Sequence, residues 1–172
     1  MDDIARIAAQ LPAATPEPIA RALCHACDAW MAALADRLRS LVLFGSVSRG
    51  TATTGSDIDL LVVATTLPRS LRDRRRELLA VWDSVRDRRG LAAVEWNLIV
   101  KSPEEATFHS PLYLDIVEDG ILLFDREGWF ASVLASLRAR MRELDSRRVF
   151  LPDGSWYWDL KPDFRPGEVV EL

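Results

Sequence analysis

Residues 41–63 read LVLFGSVSRGTATTGSDIDLLVV, and this stretch decides the fold. Two apolar segments, each long enough for a buried strand, enclose a polar excursion that begins at Gly45. The side chains of a strand alternate between its two faces, so Asp57 and Asp59 share one face while Ile58 points into the core. The stretch therefore predicts two neighbouring strands that meet at one polar site.

The paired carboxylates of Asp57 and Asp59 are a candidate metal site. Two carboxylates so close repel each other, and one pKa rises unless a cation lies between them. Mg²⁺ suits such a pair, because it takes one or two protein carboxylates and fills its other positions with water and phosphate oxygens. An Asp-x-Asp sequence also occurs at solvated strand ends and in turns, so the pair alone leaves both interpretations open.

A small polar segment follows the first apolar run directly, beginning with Gly45 and Ser46. Glycine lets a backbone approach a ligand closely, and the Ser46 hydroxyl can donate to a phosphate oxygen beside the N–H groups of a helix start. Arg49 and Gly50 lie in the turn that leads back toward the second strand. A plain strand-to-helix turn would explain the glycines but not the Asp pair coupled to them.

These residues together resemble the signature of the nucleotidyltransferase superfamily that includes DNA polymerase β. The shared pattern is Gly45-Ser46, ten intervening residues and Asp57-x-Asp59. More narrowly, the chain is similar to the minimal nucleotidyltransferase domains, whose motif reads Gly-Ser-x-x-x-Gly followed by Ser-Asp-Ile-Asp-Leu. This chain has Gly50 in that pattern and SDIDLLV at residues 56–62. The specific part of the resemblance is residues 43–63.

The resemblance implies a polymerase β-like nucleotidyltransferase fold of the α/β (α+β) class, with a small mixed β-sheet of three to five strands flanked by helices. It implies that two Mg²⁺ ions on Asp57 and Asp59 hold a nucleoside triphosphate, with ATP as the expected one. A nucleotide, expected to be AMP, would pass to a hydroxyl while pyrophosphate leaves. The predicted nucleotide-binding residues are Gly45, Ser46, Arg49, Gly50 and Ser56.

The family normally adds a third carboxylate from a later strand, which binds the catalytic metal and helps to deprotonate the acceptor. Aligned on the helix start SPEE at residues 102–105, that position falls on Asn97, which can offer an oxygen to a metal but cannot be a base. Glu95 lies on the same face by strand alternation. The predicted catalytic residues and metal ligands are therefore Asp57, Asp59 and Glu95, with Asn97 as a lesser candidate ligand. The alternative for Glu95 is a solvent-exposed strand residue.

The resemblance leaves several acceptors open: a protein side chain, an RNA end or a small molecule. Minimal family members are often paired with a small all-helical HEPN-type toxin that some of them modify, which favours a partner protein and a role as antitoxin. A second hypothesis is a catalytically impaired protein that binds a nucleotide or a partner, because Asn97 replaces the acid. A coincidental likeness in an ordinary α/β domain is disfavoured by the combined spacing.

Composition describes one ordinary globular domain. The 172 residues carry a net charge of −4, which gives no argument for a nucleic-acid or membrane partner. No apolar run approaches the roughly 20 residues that span a bilayer, and the start MDDIARIAAQ is acidic where a signal peptide begins with basic residues, so we expect a cytoplasmic protein. Cys24 and Cys27, without a second pair, predict a reduced core helix rather than a metal or redox site.

Hydrophobic periodicity and capping signals predict the remaining elements. Thr15 is a candidate cap for the second helix, and Ser102 with Glu105 predicts a capping box. In the helix at 70–89, Leu71 joins the predicted apolar stripe. The predicted helices cover residues 2–10, 19–38, 70–89 and 128–146, with a short one opening at 102, and the predicted strands cover 40–45, 57–64, 92–100 and 121–125.

We expect residues 1–150 to form a single nucleotidyltransferase domain with N-terminal helices. Residues 151–172 are expected to form an extended tail that lies on the domain or on a partner. Their WYW at 156–158 favours core cover or a protein contact over stacking on a base. The Arg-rich run RSLRDRRRELL at 69–79 is typical of a solvated helix face, and its alternative role is to steer a triphosphate or an acidic partner.

Overall fold

The computed structural model describes residues 3–172, which fold into seven α-helices and six strands. The helices are α1 (Asp3–Ala8), α2 (Glu17–Leu34), α3 (Gly45–Ser48), α4 (Leu71–Arg89), α5 (Pro103–Thr107), α6 (Pro111–Asp119) and α7 (Trp129–Glu143). The strands are β1 (Leu38–Phe44), β2 (Ile58–Ala64), β3 (Trp96–Lys101), β4 (Ile121–Asp125), β5 (Arg147–Phe150) and β6 (Trp156–Asp159).

The main sheet has four strands in the order β3-β2-β1-β4. β1 pairs antiparallel with both β2 and β4, whereas β2 and β3 are parallel, so the sheet is mixed. β5 and β6 form a separate antiparallel hairpin. A mixed sheet flanked by helices confirms the predicted fold class, and the pairing of Phe44 with Asp59 brings the end of β1 beside the start of β2.

Helices cover both faces of the sheet, which gives two apolar clusters. On one face α1, α2 and α4 pack around Trp96, whose ring meets Trp30 at 4.9 Å and Trp82 at 5.4 Å, both edge-on. On the other face α5, α6 and α7 pack around Tyr113 and Phe130, again edge-on at 5.5 Å. Edge-to-face packing is the favoured arrangement of buried aromatic rings, and it fixes the sheet between two rigid layers.

Side-chain caps are present at two helices, and the one at α5 confirms a prediction. Ser70 caps α4 by accepting from the Asp73 N–H, and Gly90 ends the helix in the left-handed conformation. Ser102 and Glu105 form the predicted capping box at α5. Cys24 and Cys27 are free and buried in α2, as expected of a core helix.

Several predicted boundaries were wrong. The helix predicted over 19–38 ends at Leu34, because Ala35 takes a positive φ of 46° that no helix continues through, and Leu38 instead opens β1. Its first capping position is Pro16 rather than Thr15, with no side-chain cap bond. The helix predicted over 2–10 covers Asp3–Ala8, and residue 2 lies outside the described part of the chain.

The strand predicted from residue 92 begins only at Trp96, because its partner β2 begins at Ile58 and offers earlier residues no pairing edge. Two elements were missed, α6 and the β5–β6 hairpin. Leu71 is 66% exposed rather than in the core. One turn later Arg74 is buried and donates to the Val100 carbonyl on the edge strand β3, so Leu71 lies beyond the edge of the sheet.

In the part of the chain that the structure describes, no helix combines the length and the apolar character needed to cross a bilayer.

Candidate active site

The centre of the site is a contact between the Gly45 backbone and the Asp59 carboxylate. Gly45 has a φ of +77°, and a Cβ atom built on it would fall 1.9 Å from Asp59 Oδ2. Both the backbone conformation and the space therefore require glycine at this position. The antiparallel pairing of β1 with β2 creates this approach, because it sets Phe44 directly opposite Asp59.

The predicted nucleotide-binding residues lie in α3 and in the loop after it. The Ser46 carbonyl accepts from the Thr51 N–H at 3.0 Å, whereas its hydroxyl has no hydrogen-bond partner within residues 3–172. Gly50 takes a positive φ of 70° at the end of the turn. The Ser56 hydroxyl accepts from the Thr53 N–H at 2.9 Å, so it closes the loop just before the Asp pair.

The two acidic residues lie in different environments. Asp57 is exposed at the end of the loop, whereas Asp59 is half-buried in β2. Burial raises the pKa of Asp59 above its usual value, and the charge of Asp57 raises it further. The hydrogen bond from Asn97 and the positive charge of Arg49 act in the opposite direction. A half-buried carboxylate beside a second one favours a bound cation.

The register of the parallel strands β2 and β3 sets the positions of Asn97 and Glu95 relative to the Asp pair. Asn97 is directly opposite Asp59, and its Nδ2 donates to Asp59 Oδ1 at 2.7 Å. The position where a third acid was expected thus holds a donor to the second acid. The Glu95 carbonyl accepts from the Ile58 N–H at 2.9 Å, and one further step of the register sets Glu95 level with Asp57. The Glu95 side chain is exposed.

The donor set fits Mg²⁺ bound together with a triphosphate. Among the described residues, no group of three or more His, Cys, Asp and Glu side chains is arranged to hold a metal. Two carboxylates suffice for Mg²⁺, which keeps water and substrate phosphates as its other ligands instead of using a cage of protein atoms. The close approach of Asp59 to Gly45 brings this pair next to the segment predicted to bind phosphates.

Trp156 of the C-terminal hairpin contacts Arg49, a predicted nucleotide-binding residue, and was not itself among the predicted site residues. The Arg49 guanidinium lies 4.9 Å from the centre of the Trp156 ring, and Arg148 lies 5.1 Å from the same ring. Trp156 Nε1 and Trp158 Nε1 each donate to Asp115 Oδ1 at 3.0 Å. Alternation in WYW predicts that Trp156 and Trp158 share a strand face, but no local signal predicts the contact of Trp156 with Arg49.

Comparison with known proteins gives a matching family and a curated relative. The nucleotidyltransferase domain family matches residues 32–123. A protein of Methanocaldococcus jannaschii, named a putative protein adenylyltransferase, is 31% identical over 111 residues, which is 63% of this chain and 74% of that protein.

Solved structures give weaker likenesses. A toxin–antitoxin complex with AMP-PNP contains a chain 21% identical, with a TM-score of 0.46, over 70% of this chain and 90% of that one. A nucleotidyltransferase from Sulfolobus solfataricus, termed putative, is 24% identical, with a TM-score of 0.42, over 64% of this chain and 86% of that one.

Proposed function

This chain belongs to the nucleotidyltransferase domain family, and we propose that it transfers AMP from ATP to a hydroxyl group of a partner protein, with Mg²⁺ as cofactor. The relative from M. jannaschii supports AMP as the transferred group and a protein as the acceptor. The observation that carries the proposal is the placement of Asp59, electrostatically coupled to Asp57, against Gly45, which opens the segment predicted to bind phosphates.

In this proposal Asp57 and Asp59 hold Mg²⁺, and Glu95 is a further candidate ligand. The bound metal supplies positive charge that offsets the charge of the triphosphate and of the transition state. Gly45 leaves room for the Asp59 carboxylate beside the backbone, and the Ser46 hydroxyl, which has no partner among the described residues, donates to a phosphate oxygen. Arg49, whose positive charge lowers the pKa of Asp59, adds a further positive charge.

The transfer forms one bond and breaks another. The acceptor oxygen bonds to the α-phosphorus, while the bond from that phosphorus to the bridging oxygen of the β-phosphate breaks. Pyrophosphate leaves with the electron pair of the broken bond, and the hydroxyl proton passes to the Glu95 carboxylate. The protein contributes positioning and charge stabilisation more than covalent chemistry.

We propose a small all-helical protein of the HEPN type as the acceptor, which would make this chain its antitoxin. The proposal rests on the resemblance of residues 43–63 to minimal nucleotidyltransferases, which are often paired with such proteins. An RNA end or a small molecule carrying a hydroxyl is the competing outcome. We assign the reaction to the cytoplasm, because the two free, buried cysteines suit a reducing compartment.

A second candidate function is a catalytically impaired protein that binds a nucleotide or a partner. The observation that favours it is Asn97, which occupies the place opposite Asp59 with a neutral amide. Replacement Asn97→Asp separates the two candidates. A large gain in transfer would show that the natural chain lacks its third acid, and no gain would favour Glu95 as the acid in use.

The test is transfer of label from ATP labelled at the α-phosphate. The wild-type chain, Asp57→Asn and Asp59→Asn are each incubated with Mg²⁺ and with three acceptors: the chain itself, a small all-helical protein of the HEPN type, and RNA. We expect label on the protein acceptor from the wild type and none from either variant. Asp36→Asn, at an exposed carboxylate at the opposite end of β1, is the matched control. Undiminished transfer by both aspartate variants would contradict the proposal.

A further inference from the structure

A groove of about 530 Å³ follows the outer edge of β3. Its floor is the edge strand itself, and its walls come from the start of α4 on one side and from α5 with the residue after it on the other. The residues that matter here are Leu71, Arg75, Asn97, Ile99, Lys101 and Phe108. The catalytic proposal assigns no role to this groove.

The floor of the groove offers backbone groups for strand pairing. In a parallel pair, alternate residues direct both their N–H and their C=O toward the same neighbour. The Glu95 carbonyl bonds to β2, while the Val100 carbonyl points away from β2 and accepts from Arg74. The N–H and C=O of Leu98 therefore face the groove, and β3 is an edge strand among the described strands. Such an edge is a template for an added strand.

The walls of the groove are apolar side chains in water. Phe108, directly after α5, is 76% exposed, and Leu71, at the start of α4, is 66% exposed. They flank the edge of β3 from opposite sides. A strand added to β3 would place alternate side chains against these two walls, which would remove them from water.

The rim of the groove carries positive charge. A second groove along α4 shares Leu71 and Arg75 with the first and adds Arg72. Within residues 3–172, neither Arg72 nor Arg75 forms an ion pair, and the carboxylate of Glu105 in the groove is already paired with Arg74. The charge complement of this rim is an acidic segment.

One end of the groove leads to the candidate active site. Asn97 lines the groove and donates to Asp59 Oδ1 at 2.7 Å. A segment lying along β3 would pass within reach of the position where the acceptor hydroxyl must lie. Three features thus converge: a strand edge unpaired at Leu98, apolar walls with a basic rim, and continuity with the Asp pair.

We propose that this groove binds an extended acidic segment of the acceptor protein as an added strand on β3, and that it delivers the acceptor hydroxyl to the site at Asp59. The inference rests on the proposed function for the identity of the acceptor. It assigns the Arg-rich start of α4 to acceptor recognition, and it commits to a peptide segment of a partner protein as the occupant.

The first test measures binding of a fluorescent random copolymer of glutamate and tyrosine without nucleotide. We expect Arg72→Glu/Arg75→Glu to weaken binding at least about tenfold, since attraction becomes repulsion. Phe108→Ser removes a wall at an exposed position, so it should weaken binding without unfolding the chain. The matched control is Arg88→Glu/Arg89→Glu, which makes the same charge change at the other end of the same helix. Equal weakening in the control would overturn the proposal.

The second test measures hydrogen exchange of the Leu98 N–H with and without a saturating concentration of the copolymer. Pairing with an added strand should slow exchange at Leu98, because its N–H faces the groove. An unchanged rate at Leu98 with the copolymer bound would overturn strand addition.

Failure of this proposal and failure of the proposed function give different results. Copolymer binding that needs Arg72, Arg75 and Phe108, with no label transferred from ATP to any acceptor, supports the docking groove and contradicts the proposed function. Label transfer to a protein that is undiminished in the groove variants overturns the docking groove and leaves the proposed function standing.

Discussion

At the scale of single residues, the site depends on a glycine that touches a carboxylate. The Asp59 carboxylate occupies the space where any side chain at residue 45 would begin. The same carboxylate is half-buried and receives a hydrogen bond from Asn97, and the positive charge of Arg49 lowers its pKa. Each of these neighbours changes either the position or the charge of Asp59, so single substitutions around it have distinct expected effects.

Gly45→Ala should disrupt both the fold and the site. Its Cβ would fall 1.9 Å from Asp59 Oδ2, and alanine is strained at a φ of +77°. We expect a loss of about 1–3 kcal/mol in the free energy of unfolding from the backbone strain alone, with loss of transfer activity. Urea denaturation and the label-transfer assay measure the two effects. Gly55→Ala is the control, since its Cβ would meet nothing within 4 Å, and similar behaviour of the two variants would refute the argument.

Glu95→Gln tests the assignment of the acceptor's base. If Glu95 takes the proton of the hydroxyl, its neutral replacement should lower kcat by about 10²-fold or more. ATP binding should be unchanged, because the triphosphate contacts come from α3 and the Asp pair. Single-turnover transfer and equilibrium binding of ATP separate the two effects. Full activity of Glu95→Gln would exclude it as the base.

Asp59→Asn should stabilise the protein when no metal is present. Burial raises the pKa of Asp59 above its usual value of 3.8, so the folded state disfavours the ionised carboxylate. The stability that Asp59 provides is complete below pH 3.8 and is lost as the pH rises through its folded pKa. The variant should therefore melt at a higher temperature than the wild type at pH 7 in EDTA, and the difference should vanish in acid. A lower melting temperature of the variant than of the wild type at pH 7 would contradict the predicted stabilisation.

At the scale of elements, the β5–β6 hairpin connects α6 to the candidate site. Asp115 in α6 accepts from both Trp156 and Trp158 and pairs with Arg148, which also pairs with Asp119 at 2.8 Å. Trp156 thereby lies against Arg49 at the end of α3. The hairpin thus restrains the arginine expected to face the triphosphate.

Trp156→Ala should weaken ATP binding through Arg49. The lost contact is a cation–π interaction, worth about 0.5–2 kcal/mol, which corresponds to an increase of roughly 2- to 30-fold in Kd. Trp156→Phe keeps an aromatic face and should retain most of the affinity. Tyr157→Ala on the opposite face of β6 is the control, since that side chain is 52% exposed. Equal affinities of Trp156→Ala and wild type for ATP would show that the hairpin does not support Arg49.

At the scale of the whole molecule, features that depend on residues close together in the sequence could be predicted. Features that depend on contacts between distant residues could not. The stretch 41–63 was predictable because alternation and spacing are local, and they placed the Asp pair beside the glycine. The hairpin was not predictable, because its partner Asp115 lies 41 and 43 residues away from the two tryptophans. Alignment on a helix start predicted that the third-acid position falls on Asn97, whereas its place opposite Asp59 and its hydrogen bond to Asp59 needed the register of the sheet.

Nucleotide and metal together should stabilise the whole fold. A ligand that binds only the folded state adds about 2.7 kcal/mol at 100 times its Kd, which raises the Tm of a domain of this size by roughly 5–10 °C. We expect this shift with Mg²⁺ and α,β-methylene ATP, which cannot release pyrophosphate. Asp57→Asn/Asp59→Asn should lose most of the shift, because the paired carboxylates are the expected metal ligands. The same shift in the wild type with EDTA in place of Mg²⁺ would show that the nucleotide binds without the metal, and an undiminished shift in the double variant would place the metal elsewhere.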